Sequence, residues 1–321
     1  MSALPAAVPA SSAAQSAKYN PTADDAKRPD WMALFDEALS QPGLLSDAYR
    51  QFHHYSAGNA MLIALQAMFR GLPLGPVASF KAWLNKGYAV KKGEKALAMV
   101  MPVTVTQRAD QDDESESSQG EAAPAGTKRQ GAKRTIFMFR RNWFLFSQVD
   151  AGEDATPLEE AATPEWSLET ASQALNVPVI SFDMMDGNCQ GYASTAGIAI
   201  NPLARFPVKT AAHELAHVLL GHIGDQPIVD HEDLPGSKME AEAESVAYLV
   251  AASLGLPEEA LSSARAYIQT WLGAGGSGEE VDAFKKKSAS RVFAVADKIL
   301  RAGQPPKQET GDASQDAPAD A

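Results

Sequence analysis

Two histidines four residues apart enclose a glutamate in the run His213-Glu214-Leu215-Ala216-His217. On an α-helix, residues four apart lie nearly one above the other, so both imidazoles can reach one metal ion. Glu214, about 100° round the helix, would face a water on the metal instead of the metal itself. The chemistry this suggests is hydrolysis: Zn²⁺ lowers the pKa of its water towards about 7, and the glutamate serves as general base. Ala211, Ala212, Leu215, Ala216, Val218, Leu219 and Leu220 make the segment apolar. A helix of that kind is buried, and buried histidines need partners.

Two spacings could supply a third ligand. One needs a histidine ten residues after the first, where this chain has Ile223. His222 is one residue short, and nine helical steps would carry it opposite His213, which makes it a surface or capping residue. The other, the gluzincin arrangement, needs a glutamate on a later helix, and Met239-Glu240-Ala241-Glu242-Ala243-Glu244 offers several. Glu240 and Glu244 share a helix face; Glu242 points elsewhere and reads as solvated. Glu240 is the favoured ligand, with Glu244 orienting a ligand histidine from behind; the reverse assignment stays open. Zinc is the favoured ion, and another divalent metal such as Mn²⁺ is the alternative.

Around these residues the chain divides by composition. Residues 1–28 are Ala-, Ser- and Pro-rich, predict a disordered tail, and lack the basic start and apolar block of a secretory signal. Helical spacing of Trp31, Leu34, Phe35 and Leu39 ends at Pro42-Gly43, and a second helix is predicted over about 56–69. A short helix near 79–86 leads to strands at 97–105 and 135–146, rich in β-branched and aromatic residues. Residues 107–134 between them are polar and charged, and predict a flexible hairpin tip. Residues 150–164 read as a linker. A helix near 167–176, strands at 177–183 and 197–201, the metal helix, and helices at 238–254, 258–272 and 279–301 follow. The strand Gly197–Asn201 is a candidate edge for a peptide substrate. Residues 303–321 predict a disordered acidic tail.

Cys189 is the sole cysteine, which excludes an internal disulfide and a thiolate zinc cage, and a reducing cytoplasm is the expected home. No apolar run is long enough for a membrane span. The formal net charge of -12 argues against nucleic acid. Between Arg70 and Lys95, however, the balance reverses. Lys81, Trp83, Lys86, Tyr88, Lys91, Lys92 and Lys95 interleave cations with aromatic rings, as single-stranded nucleic acid requires: charge for phosphates, ring faces for unstacked bases. On composition alone, a core tryptophan and a solvated turn explain the segment better.

The run from Pro76 to Ala96, Pro-Val-Ala-Ser-Phe-Lys-Ala-Trp-Leu-Asn-Lys-Gly-Tyr-Ala-Val-Lys-Lys-Gly-Glu-Lys-Ala, resembles the N-terminal domain of the ArdC antirestriction family. Tyr55-Ser56-Ala57-Gly58-Asn59 is similar to that family's Asn-bearing helix start, and the metal-helix region is similar to its zincin domain. The resemblance spans roughly residues 30–300. It implies a single-stranded-DNA-binding domain joined to a metallopeptidase-like domain, in proteins of plasmids and other mobile elements that protect incoming DNA from host restriction. The expectation is therefore an α+β chain. Residues 29–149 would bind single-stranded DNA, and residues 165–302 would form a mostly helical, gluzincin-like metallopeptidase domain with a possible peptide or protein substrate. Two other readings fit the same residues: a DNA-binding protein whose metal site is structural or vestigial, and a regulatory protease that cuts a repressor.

Overall fold

The computed structural model describes residues 29–41, 43–106, 133–158, 165–185, 188–223, 228–229, 238–275 and 278–305. The expected tail 1–28, residues 107–132 of the hairpin tip, residues 159–164 of the linker and residues 306–321 lie outside them, as does most of the acidic loop before Lys238.

Three helices open the chain: α1 (Trp31–Ser40), α2 (Leu44–Phe52) and α3 (Ala57–Phe69). Asp30 and Ser56 cap the first and third, accepting from the backbone N–H groups of Ala33 and Asn59, donors that a helix start leaves open. Next come β1 (Val77–Ser79), α4 (Phe80–Asn85) and β2 (Tyr88–Val90). The long hairpin of β3 (Leu97–Thr106) and β4 (Lys133–Leu145) follows. Its strands take in Lys133 and Arg134, which the sequence assigns to the tip. The sheet order is β1-β4-β3, so among the described residues one side of β3 has no strand beside it.

α3 covers that side with two amides. Asn59 Oδ1 accepts from Val100 N at 2.8 Å while its Nδ2 donates to Val100 O at 3.0 Å. Two turns on, Gln66 does the same to Ala98, at 2.8 Å in both directions. Residues seven apart on a helix thus stand in for a strand against residues two apart on β3. This closes an edge that would otherwise present buried, unpaired peptide groups. Gly58 beside Asn59 is required by packing, since a Cβ there would lie 2.6 Å from the Trp31 ring.

β5 (Val149–Ala151) pairs with β2, and Thr156 N donates to Lys86 O, so the first part of the expected linker is bound to the N-terminal half. Beyond it lie α5 (Leu168–Leu175), β6 (Val179–Ile180), β7 (Gly191–Ser194), β8 (Gly197–Ile200), α6 (Pro207–Leu220), β9 (Ile228–Val229), α7 (Lys238–Ser253), α8 (Glu258–Thr270), α9 (Gly278–Ala283) and α10 (Ala289–Ala302). π-Helical turns at Trp271–Gly275 and Phe284–Ser288 interrupt what the sequence reads as continuous helix. The second sheet has the order β6-β8-β7-β9. β8 is therefore an interior strand, paired on both sides, and not the free edge expected of Gly197–Asn201.

The fold is α+β, with a mixed N-terminal region and a mostly helical C-terminal one. The two share a core. Leu34, Phe35, Leu62 and Leu65 from α1 and α3 join Leu215, Val246, Phe293 and Ile299 in one buried cluster. Phe35 meets the rings of Phe284 and Phe293. Tyr248 Oη donates to Ala38 O at 3.0 Å, and Asp297 accepts from Ala57 N at 2.9 Å. Among the described residues no helix is long and apolar enough to cross a membrane.

Candidate metal centre and the basic segment

Pro207 starts α6 where a missing N–H costs nothing, and Gly221 ends it in the left-handed conformation, φ 75°. Between them Ala211, Ala212, Leu215 and Ala216 are fully buried, packed between the second sheet and α7. This holds His213 and His217 inside the protein, at 4% and 0% exposure.

The side chains expected as ligands converge. His213 Nε2 and His217 Nε2 are 3.0 Å apart, and Glu240 lies 3.3 Å from the first and 3.5 Å from the second. With ligand distances near 2.0 Å, neighbouring donors of a tetrahedral zinc site are about 3.3 Å apart. The three groups thus stand at the spacing of three tetrahedral positions. They also fit a cation chemically. Burial disfavours a charge on Glu240, but the two histidines outweigh it and hold the carboxyl well below its ordinary range. Burial holds the His217 imidazole below its ordinary value, and so neutral, although Glu240 pulls the other way. A carboxylate and two imidazoles aimed at one point are a donor set that a divalent metal takes.

Behind His213 stands Glu244. Its Oε2 is 2.9 Å from His213 Nδ1, and its Oε1 is 2.7 Å from Lys209 Nζ. Burial alone would raise this carboxyl, but the Lys209 ammonium and His213 bring it down to about 2. As an ionised acceptor it places the proton of His213 on Nδ1 and leaves Nε2 its lone pair.

Glu214 is fully buried. β7 comes close because its residue there is Gly191, whose Cβ would lie 3.0 Å from Glu214 Oε1 and 2.8 Å from Thr210 Cγ2. The strand that carries Gly191 is not expected from the sequence, and neither is the space it leaves for the carboxylate.

Two expectations about the neighbours need correction. His222 is neither a surface residue nor opposite His213, because α6 stops before the nine helical steps are completed. The left-handed turn at Gly221 folds the chain back, His222 N donates to His217 O, and the ring lies 3.1 Å from His217 Nδ1. Glu242 is not solvated: it is 2% exposed, because α7 is covered on that side by the π-turn Phe284–Ser288 and by α10.

In the basic segment Lys81, Lys86, Lys91, Lys92 and Lys95 are all exposed. Lys91 Nζ donates to Ser147 O at 2.8 Å. The two aromatics are not available as ring platforms. Trp83 is 1% exposed and donates from Nε1 to Phe144 O, and Tyr88 is 6% exposed and packs edge-on against Trp83. Both belong to a small apolar cluster with Phe144 and Val149. The apolar groups that α4 does present are Phe80 and Leu84, at 44% and 50% exposure, one turn apart and beside Lys81. Their exposure follows from Trp83 holding the buried face of a one-and-a-half-turn helix, which the sequence pattern alone does not reveal.

Residues 26–143 match the family described as the N-terminal domain of anti-restriction factor ArdC, and residues 172–277 match the IrrE N-terminal-like peptidase domain. No curated protein sequence matches the chain. Two solved structures are distantly similar. One is the antirestriction ArdC protein from the R388 plasmid in metal-free form, at 19% identity over 85% of this chain and 94% of that one, with a TM-score of 0.44. The other is the Mn(II)-bound form of that protein, at 18% identity over 87% and 100%, again with a TM-score of 0.44. The chain thus joins a region that matches the ArdC N-terminal domain to one that matches the IrrE-like peptidase domain.

Proposed function

We propose that this chain binds single-stranded DNA and carries a divalent-metal, peptidase-like centre, and that it protects incoming mobile-element DNA from host restriction. The observation that carries the reading is the convergence of His213, His217 and Glu240 behind an ArdC-type N-terminal domain. Two imidazoles and one carboxylate favour zinc, with manganese the alternative. A bound divalent ion supplies Lewis-acid polarisation and a water of lowered pKa. The residues do the rest. Glu244 fixes the His213 ring, Glu240 supplies the negative charge, and Glu214 is the proton acceptor that later returns the proton to a leaving amine. On the DNA side the five exposed lysines supply phosphate contacts, so affinity should fall steeply with salt.

Restriction protection separates catalysis from coating. Glu214→Ala should abolish protection if peptide cleavage is part of the mechanism, and Lys91→Ala/Lys92→Ala should weaken it in parallel with single-strand affinity. Full protection by the Glu214 variant would remove proteolysis and leave a DNA-binding protein with a structural metal site.

A further inference from the structure

His217 has its own supporting chain on the side away from Glu240, built from residues that the metal motif does not include. Its Nδ1 is 3.1 Å from His222 Nδ1. His222 Nε2 in turn is 2.9 Å from Glu242 Oε2. The other oxygen of Glu242 accepts from the Ser288 hydroxyl and lies 3.4 Å from Lys238 Nζ. Its middle is buried: the His222 and Glu242 side chains are 6% and 3% exposed and Ser288 is 0% exposed, while Lys238, at 32%, reaches the surface.

Where the Nε2 atoms of His213 and His217, 3.0 Å apart, share a cation and not a proton, hydrogen-bond chemistry leaves one arrangement of protons for neutral rings. An ionised carboxylate only accepts, so His222 must carry its proton on Nε2. Its Nδ1 is then an acceptor, and the ring facing it must donate. His217 therefore holds its proton on Nδ1 and keeps the Nε2 lone pair, on the side where His213 Nε2 and Glu240 converge. Glu244 achieves the same for His213 directly; Glu242 achieves it for His217 through a second imidazole.

We infer that His222 and Glu242 are positioning residues of the metal centre, which with Ser288 and Lys238 fix His217 in the tautomer and orientation that present Nε2 to the metal. The inference rests on the metal centre proposed above. A packing role explains the arrangement less well. A buried charged group is costly, and replacement by apolar residues of similar volume is often neutral or stabilising. Four polar side chains from α7, the end of α6 and the start of α10 are hard to account for at a place where aliphatic residues would pack. Their common product is the state of one ring nitrogen.

The test uses the full chain labelled with ¹⁵N in histidine. In zinc-loaded protein at neutral pH, long-range ¹H–¹⁵N correlation should show His217 protonated on Nδ1 and His222 on Nε2. His222 protonated on Nδ1, or His217 bound to zinc through Nδ1, would overturn the inference. Zinc affinity by chelator competition gives the second reading. His222→Leu should lose about 10–100-fold, and His222→Gln, whose carbonyl still accepts, should recover part of that loss. Wild-type affinity in a folded His222→Leu variant would also overturn the inference; if that variant does not fold, the wild-type tautomers decide alone. Failure of the wild-type protein to take up zinc would refute the metal centre itself, a result distinct from the tautomers.

Discussion

Glu240 and Glu244 lie one turn apart on α7, yet they should respond to substitution in different ways. Glu244, its side chain 13% exposed, neutralises Lys209, whose side chain is 18% exposed, while accepting from His213. Glu244→Ala therefore strands an ammonium and an imidazole N–H. Breaking a buried pair from one side costs about 3–5 kcal/mol; partial exposure of Lys209 puts the loss at the lower end, about 3 kcal/mol. For an ordered body of this size that is a fall in Tm of about 6–12 °C in metal-free protein. Glu240 lies farther from its partners, 3.3 and 3.5 Å from the two ring nitrogens that hold its carboxyl below the ordinary range. Glu240→Ala should lower the metal-free Tm by less than Glu244→Ala does, while abolishing the rise in Tm that added zinc produces. Glu244→Ala should keep that rise, shifted to metal concentrations about 10–100-fold higher. Differential scanning calorimetry with and without zinc reads both. If Glu244→Ala abolishes the metal response and Glu240→Ala only weakens it, the ligand and its supporting residue have been exchanged, and the reasoning from ring-nitrogen geometry is wrong.

Gln66→Leu removes both bonds to Ala98 and leaves a buried N–H and C=O without partners. The expected loss is about 2–4 kcal/mol by urea denaturation, and no loss would mean that the amide is not what closes the β3 edge. Acid should act through depressed carboxyls. Glu242 and Glu244 sit near 2 against an ordinary value of 4.5, so their contribution is complete above about 4.5. It should be lost as pH falls towards 2, in metal-free protein followed by circular dichroism. Metal release should come earlier, as protons compete for His217 below its ordinary value near 6.5; metal retained down to pH 4 would contradict neutral imidazole ligands. For DNA, Phe80→Ala should weaken single-strand binding by about 1–3 kcal/mol if a base stacks on its exposed ring. Trp83→Phe should spare affinity and lower Tm instead, and the opposite pattern in fluorescence anisotropy and melting would restore Trp83 as the platform.

The convergence of His213, His217 and Glu240 was legible in the sequence because helix geometry is regular. His213 and His217 four apart, and Glu240 and Glu244 four apart, define faces that survive folding unchanged. The pattern misleads where a helix stops short. Counting steps puts His222 opposite His213 only by passing through Gly221, a residue whose left-handed conformation ends the helix. Glu242 reads as solvated by its charge, yet its side of α7 is covered, and which element would cover it is a long-range fact that no local pattern holds. The same gap hid β7, whose Gly191-Tyr192-Ala193-Ser194 is a strand by virtue of its partners β8 and β9. Among the basic residues, charge correctly marked an exposed segment, whereas aromatic identity did not distinguish Trp83 in the core from Phe80 at the surface.

Metal content per chain tests the centre most directly. Purified wild-type protein, loaded with zinc and freed of excess, should contain one divalent ion per chain by plasma mass spectrometry. His213→Ala, His217→Ala and Glu240→Ala should each contain almost none while remaining folded. A wild-type chain without metal, or an undiminished ion in all three variants, would contradict a centre built from these residues.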